Sequence, residues 1–321
     1  MNKPIGGYFS LELPLETTNA LNHYGINSLA LNTGRNCLEY ILRCKGYRKV
    51  YIPYYTCSVV LEPFMKLGVA YEYYHIDKQL EVATNVELKT DEALLYTNYF
   101  GLKQVYIETL AKRYGSQLIV DNTQAFYSRP IEGIDSFNTC RKYFGVPDGA
   151  YLYTDKLADF DLEQDVSYDR MSFLLKRLDL GAEAGYADFR EQSERLIGQP
   201  IKRMSNLTEK LMSGIDYQAI AQKRRDNYQY IHGHLASLNQ FQLPLPDNAV
   251  PMVYPFLTDD TTLKQRLIAA KVFVATYWPN VFDWCMKDDW EYQIAERTIF
   301  IPIDQRYGIP ELEQIIHIIN S

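Results

Sequence analysis

From residue 27 to about 155 the chain alternates between short stretches that suit a strand and stretches that suit a helix. No other feature of the sequence limits its fold as much. "NSLALN" reads as a strand and "GRNCLEYILRCKG" as a helix closed by Gly46. The strand "KVYIP", a helix through "SVVLEPFMKLG" and the strand "AYEYYHID" follow. "EALLYTNYFG" contains a strand, "VYIETLAKRYG" is an amphipathic helix ending at Gly115, and "QLIV" is again a strand. Strands and helices of these lengths, in alternation, predict βαβ units: an α/β fold with a mostly parallel sheet and helices on both faces. Ligands of such sheets bind beyond the carboxyl ends of the strands. Residues 156–235 show helical spacing and many charges, which predicts two or three helices with an exposed or interface-forming face. From about residue 241, strands such as "PMVYPFL" and "TIFIPI" mix with helices such as "TLKQRLIAAK" and "PELEQIIHIIN". The expected division is a large domain over 1–235 and a smaller α+β domain over 236–321, as suits a chain of 321 residues.

Composition narrows the partners. A net charge of −7 argues against nucleic acid or an anionic membrane as the main partner. The N-terminus has no apolar signal core, and nowhere do 18 uncharged apolar residues run together. Cysteines at 37, 44, 57, 140 and 285 form no CxxC pair and no metal-ligand spacing, so no metal site is expected. An odd, scattered set suits a reducing compartment, and a soluble cytoplasmic protein is predicted. The 27 tyrosines can serve cores, subunit interfaces or ligand stacking alike.

Three places can carry chemistry. In "LIVDNTQAF" an apolar strand delivers Asp121 at its tip, although aspartate is depleted in strands and seldom buried without a partner. Asp121 is either a cap or turn residue, or a carboxylate facing a cationic ring. In "LNTGRNCLEYIL" a helix opens at Thr33, Gly34 and Arg35, where free amides and a positive dipole end can receive a phosphate. A plain helix cap gives the same pattern. In "RKYFGVPDGAYLYT", Lys142 is either a solvated surface lysine or a Schiff-base amine, and Arg141 beside it would lower the pKa such an amine needs lowered. Phosphate cup, strand-tip acid and lysine, in that order, are what pyridoxal 5'-phosphate requires for its phosphate, its ring nitrogen and its aldehyde.

These segments together resemble the fold type I pyridoxal-phosphate enzymes, and within them the DegT-type sugar aminotransferases. "LNTGRNCLEYIL" is similar to the family's S-G-T-x-A-L phosphate helix, and "VYIPYYTCSVVLEPFMKLGVAYEYYHID" to its P-x-x-T strand and helix. "YTNYFGL" resembles its H-x-x-G segment, "LIVDNTQAF" its E-D-x-x-Q motif, and "RKYFGVPDGAYLYT" its K-x-x-x-x-x-E-G-G stretch. "KRMSNLTEKL" and "AERTIFIPIDQRYGIPELEQIIHII" are similar to its R-M-x-x-x-x-A-A-L helix and its closing strand and helix. The resemblance implies that Lys142 is the Schiff-base lysine and proton shuttle, and that Asp121 pairs with the ring nitrogen. It places Gln124 near the phenolic oxygen of the ring, and the backbone amides of Gly34 and Arg35 on the phosphate. The departures are Val120 for the Glu before the acid, Asp148-Gly149-Ala150 for E-G-G, and Ile201-Lys202 before Arg-Met. Phe137 stands where the family has its phosphate serine; Ser136 is the expected substitute, with Thr139 the other hydroxyl. Cys57 stands near the ring-stacking position, with Tyr54 and Tyr55 beside it, and Tyr55 is the expected stack unless these rings only pack. The implied activity is transfer of an amino group from an amino acid such as glutamate to a keto sugar, nucleotide-linked, by a homodimer. Another fold type I reaction (lyase or decarboxylase), or a non-catalytic relative with a regulatory or assembly role, are the alternatives.

Overall fold

In the computed structural model, which describes residues 11–13, 28–158 and 160–321, the alternation becomes one seven-stranded sheet. Its strands are β1 (Ser28–Leu31), β2 (Lys49–Pro53), β3 (Ala70–Tyr74), β4 (Glu92–Thr97), β5 (Leu118–Asp121), β6 (Asp135–Phe137) and β7 (Ala150–Tyr153), in the spatial order β1-β7-β6-β5-β4-β2-β3. Strands β2 to β6 are parallel, while β7 runs antiparallel to both β1 and β6. Two reversals leave β1 pointing the same way as β5 and β6. The ends of β1, β5 and β6 and the start of β7 therefore share one edge. Strand β6, three residues long, is too short for a periodicity to reveal it.

Helices α1 (Gly34–Lys45), α2 (Leu61–Leu67) and α3 (Gln104–Tyr114) cover the sheet. Thr33 caps α1 by accepting from the Asn36 amide at 3.2 Å, and Gly46 ends it at φ 68°, a left-handed conformation that glycine adopts without strain. Strands β4 and β5 are buried along their whole length, so both faces of the sheet are covered. Alternation decides which core each residue joins. Ala93, Leu95 and Ile119 meet Leu38 and Ile41 of α1 and Phe64 of α2. Leu94, Tyr96, Leu118 and Val120 join Ile107 and Leu110 of α3 in the other core. Each Leu, Ile or Phe so buried contributes about 1.5–3 kcal/mol relative to exposure.

Residues 172–235 form four helices rather than two or three: α4 (Ser172–Leu180), α5 (Tyr186–Arg195), α6 (Asn206–Ser213) and α7 (Tyr217–Leu235). Asp216 separates the last two, because its side chain accepts from the Ala219 amide at 2.9 Å and starts α7 afresh. The C-terminal part contains β8 (Val253–Leu257), α8 (Leu263–Ala269), α9 (Val281–Trp284), α10 (Trp290–Arg297), β9 (Thr298–Pro302) and α11 (Ile309–Asn320). Strands β8 and β9 form a separate antiparallel pair, the α+β arrangement that the pattern predicts. Helix α7, which sequence position groups with the N-terminal part, packs on this C-terminal sheet. Its Asn227 side chain donates to the Ile303 carbonyl at 3.0 Å, and its Tyr228 ring lies 5.0 Å from that of Tyr254.

The turn into β7 is fixed by buried charge. Asp148 is fully buried and accepts from Arg170 Nη2 at 2.5 Å and from the Thr208 hydroxyl; the same Arg170 nitrogen reaches Asp165 at 2.6 Å. Burial pushes the Asp148 carboxyl above its usual range, against the hydrogen bond from Thr208 and the attraction of Arg170. Next to it, Gly149 has φ 101°, and a Cβ there would lie 2.8 Å from Thr208 Cγ2. Arg170→Met should therefore leave the buried Asp148 without its ion-pair partner and Asp165 with Lys202, at 3.9 Å, as its remaining cation, and cost about 3–5 kcal/mol, read as a lower urea midpoint with an unchanged slope. A cost below about 1 kcal/mol would mean that water already screens this pair.

Candidate active site

Backbone register brings four chain segments to the shared edge. Asp121 is the last residue of β5, in register with Thr97 of β4 and Phe137 of β6. The start of α1 comes within reach of the loop after β5 because residue 34 is glycine. A Cβ there would stand 3.3 Å from Thr123 Cγ2 and 3.4 Å from the Asn138 carbonyl, tighter than side-chain contacts normally allow. Asn32 holds this turn from behind: its carbonyl accepts from the Gly149 amide at 2.8 Å, and its side chain donates to the Pro200 carbonyl at 3.0 Å.

Between these segments lies a cavity of about 390 Å³. The start of α1, Asp121, Thr123, Thr139, Arg141 and Lys142 form one part of its wall. The stretch 56–60, Phe189 and Ser193 of α5, and Trp278 complete it. Asp121 is buried, and its Oδ1 accepts from the Thr123 amide at 2.8 Å. Burial raises its carboxyl above the ordinary value; the charge of Lys142 and the bonds from Thr123 oppose that without cancelling it. Lys142 is exposed, and its Nζ donates to Thr123 Oγ1 at 3.1 Å. Acid and amine are thus linked through one threonine. Arg141 turns its guanidinium to the Phe189 ring (5.5 Å) and to Ser193 Oγ (3.2 Å). Burial, reinforced by Arg35 and Arg170, lowers the Arg141 guanidinium to about 10, although Asp148 pulls the other way.

Of the seven residues the sequence nominates, four reach this cavity: Gly34, Arg35, Asp121 and Lys142. The Arg35 side chain is held by Glu62 at 2.6 Å. The first amides of a helix have no carbonyl within the helix to bond, so Gly34 and Arg35 can donate into the cavity. Three nominated residues lie elsewhere. Ser136 is in register with Val120, so alternation turns it to the opposite face of the sheet from Asp121 and Phe137. Of the two candidate phosphate hydroxyls, the one on the cavity is Thr139, two residues past Phe137. Tyr55 is fully buried between Tyr99 and Trp278 and forms core rather than cavity wall. Gln124 is also fully buried, with its Oε1 accepting from the Phe100 amide at 3.2 Å. Tyr54 stacks on Tyr73 at 4.6 Å, away from the site. The sequence reading missed Thr123 and Trp278, and of its two candidate hydroxyls it preferred Ser136 to Thr139. Placing β6 would have found Thr139, whereas no local pattern marks Trp278.

Among the described residues there is no group of three or more His, Cys, Asp or Glu able to hold a metal ion, and no helix is long and apolar enough to cross a membrane. No family model matches the chain, and no curated protein matches it in sequence. Solved structures do match. A DegT/DnrJ/EryC1/StrS aminotransferase from Brucella abortus is 14% identical with a TM-score of 0.63, over 93% of this chain and 87% of the other. A sugar aminotransferase from Micromonospora echinospora is 13% identical with a TM-score of 0.62, over 96% and 93%. GDP-4-keto-6-deoxy-D-mannose-3-dehydratase from E. coli, solved with bound hydrated PLP, is 12% identical with a TM-score of 0.63, over 94% and 90%. The chain has the fold of these enzymes, the fold type I architecture, along nearly its whole length.

The raised Asp121 carboxyl has a thermodynamic sign. The folded chain holds this proton more tightly than the unfolded chain does. The associated stability is therefore complete below the unfolded value and is lost as pH rises through the folded one. Asp121→Asn removes the penalty, so the cofactor-free variant should melt above wild type at neutral pH, and the gap should close as the pH falls into the carboxylate range. Thermal melts of both proteins over that range check it. A variant that melts below wild type at pH 7 would make Asp121 a stabilising cap.

Proposed function

We propose that this protein is a pyridoxal-phosphate-dependent aminotransferase that delivers an amino group to a keto sugar carried on a nucleotide. One observation carries the reading: helix-start amides, a buried carboxylate whose burial the described residues offset only in part, and a lysine amine meet in one cavity. They meet at the carboxyl edge of a sheet whose fold is that of sugar aminotransferases. The residues fit the cofactor. The amides of Gly34 and Arg35, with Thr139 Oγ1, would take its phosphate at the positive end of α1. Asp121 would meet the ring nitrogen, supplying the opposite charge that keeps this nitrogen protonated and relieving its own burial. When bound, pyridoxal phosphate supplies an aldehyde for amines and a protonated ring that draws electrons from the substrate carbon. Lys142 Nζ would hold the aldehyde until a donor amine replaces it, and would then move the proton off and onto the substrate carbon. Thr123, bonded to both side chains, would keep amine and acid in register.

A keto sugar as acceptor accords with the names of the structural neighbours, one of which is named for a GDP-linked keto sugar; glutamate is the donor we infer from the resemblance in sequence. A reducing cytoplasm suits the five unpaired cysteines. A homodimer would account for the surface of residues 168–186, where Tyr168, Leu175, Leu178, Leu180 and Tyr186 are each more than half exposed. The neighbouring helix α5 lines the cavity, so a second copy docked there would lie beside the site.

Protein incubated with pyridoxal phosphate should turn yellow, and borohydride should fix the cofactor to the peptide that contains Lys142. Lys142→Ala should lose both the colour and the fixed adduct while keeping its circular dichroism in the far ultraviolet. A full adduct in that variant would move the role to another lysine. Light scattering at micromolar concentration should give the mass of a dimer, and Leu175→Glu with Leu178→Glu should shift it towards monomer. A wild-type protein that stays monomeric with cofactor bound would remove the dimer from the reading.

A further inference from the structure

We propose that Trp278 forms the aromatic wall of the cofactor site, so that docking of the C-terminal part becomes a condition of tight cofactor binding. The inference rests on the pyridoxal-phosphate reading above. Among the described residues, every other one on the cavity wall falls between positions 32 and 196, and Trp278 alone comes from the C-terminal part of the chain. The stretch 56–60 supplies no ring: Thr56, Cys57, Val59 and Val60 face the cavity, while Tyr54 and Tyr55 turn away from it. Two other rings touch the cavity, and both have other partners. Phe137 supports Gly34, its Cδ2 3.7 Å from where a Cβ would stand, and Phe189 receives the Arg141 guanidinium at 5.5 Å. Trp278 remains as the flat apolar surface for a planar, electron-poor ring, a contact that aromatic quadrupoles favour.

Trp278 is also held in place. Its ring meets Tyr55 at 5.0 Å and 61°, and the residue is buried while lining the cavity. Two residues on, Asn280 bridges the two parts of the protein: its Nδ2 donates to the Thr56 carbonyl at 2.9 Å, and its Oδ1 accepts from the Ser58 amide at 3.2 Å. These bonds pin the segment 278–280 against 56–58, directly beside Cys57. A ligand touching both Trp278 and the start of α1 binds only when this docking is made. It must then favour the docked state by the same factor, because such coupling is reciprocal.

The test titrates pyridoxal phosphate into wild type, Trp278→Phe, Trp278→Ala and Asn280→Ala, following visible absorbance, visible circular dichroism and tryptophan emission. Trp278→Ala should weaken binding about tenfold and reduce the dichroism of the bound cofactor, whereas Trp278→Phe should restore affinity to within about threefold. Asn280→Ala should weaken binding in the same direction although it does not line the cavity. The chain has three tryptophans, and Trp284 and Trp290 pack on Tyr73 and Phe241. Emission quenching on binding should therefore fall most in Trp278→Phe, compared with Trp284→Phe and Trp290→Phe. Wild-type affinity and dichroism in both Trp278 variants overturn the proposal. If the Ala variant fails to fold, unchanged quenching in Trp278→Phe overturns it. A wild-type protein that binds no cofactor defeats the functional reading instead.

Discussion

The structure around the sheet edge depends on one unfavourable placement, a carboxylate buried at the tip of β5. Asp121 receives an amide hydrogen bond from Thr123, but nothing within the described residues compensates its burial in full. A fold carries such a cost where a bound group relieves it or a function needs it. The parallel sheet makes the placement possible. Its strands end together, so an acid on β5, a turn after β6 and the amides opening α1 after β1 converge without any long loop. The antiparallel β7 starts at the same edge, so Gly149 just before it lies against the cavity.

Around this point the site is held by interactions of very different strength. The Asp148–Arg170–Asp165 group is buried and charged, and it fixes the turn that follows Lys142. Lys142 itself is exposed, and its amine is hydrogen-bonded to a threonine hydroxyl. A residue that must exchange partners gains from that freedom, and the rigid network on its C-terminal side keeps the loop in place while the side chain moves. Thr123 joins the two regimes, since its amide serves the buried acid and its hydroxyl the mobile amine.

The cavity is assembled almost wholly from the N-terminal two-thirds of the chain, with a single tryptophan reaching in from the rest. The C-terminal sheet and its helices thus do more than cover one face of the large sheet. Through Asn280 and Trp278 their position is written into the wall of the site. Helix α7 ties the same part back to the body: Arg224 donates to the carbonyls of Pro251 and Met252, and it lies over the Tyr143 ring at 4.4 Å. Tyr143 directly follows Lys142, so both ends of the site respond to where the C-terminal part sits.

The sequence alone determined the α/β class, the strands β1 to β5 and the helices between them, because period-2 and period-3.6 patterns and glycine stops are local properties. It also marked the acid and the helix start, which stand at element boundaries, and the lysine, which stands in the turn between β6 and β7. Tertiary structure decided the remainder. Ser136 and Thr139 are equivalent hydroxyls in sequence, and only the register of β6 on β5 shows that Ser136 turns to the face opposite Asp121, while the loop after β6 brings Thr139 to the cavity. Tyr55 and Trp278 are both aromatic, yet one is core and the other cavity wall. That choice follows from how a segment 220 residues later docks on the large sheet, and no local pattern carries information about contacts at that separation.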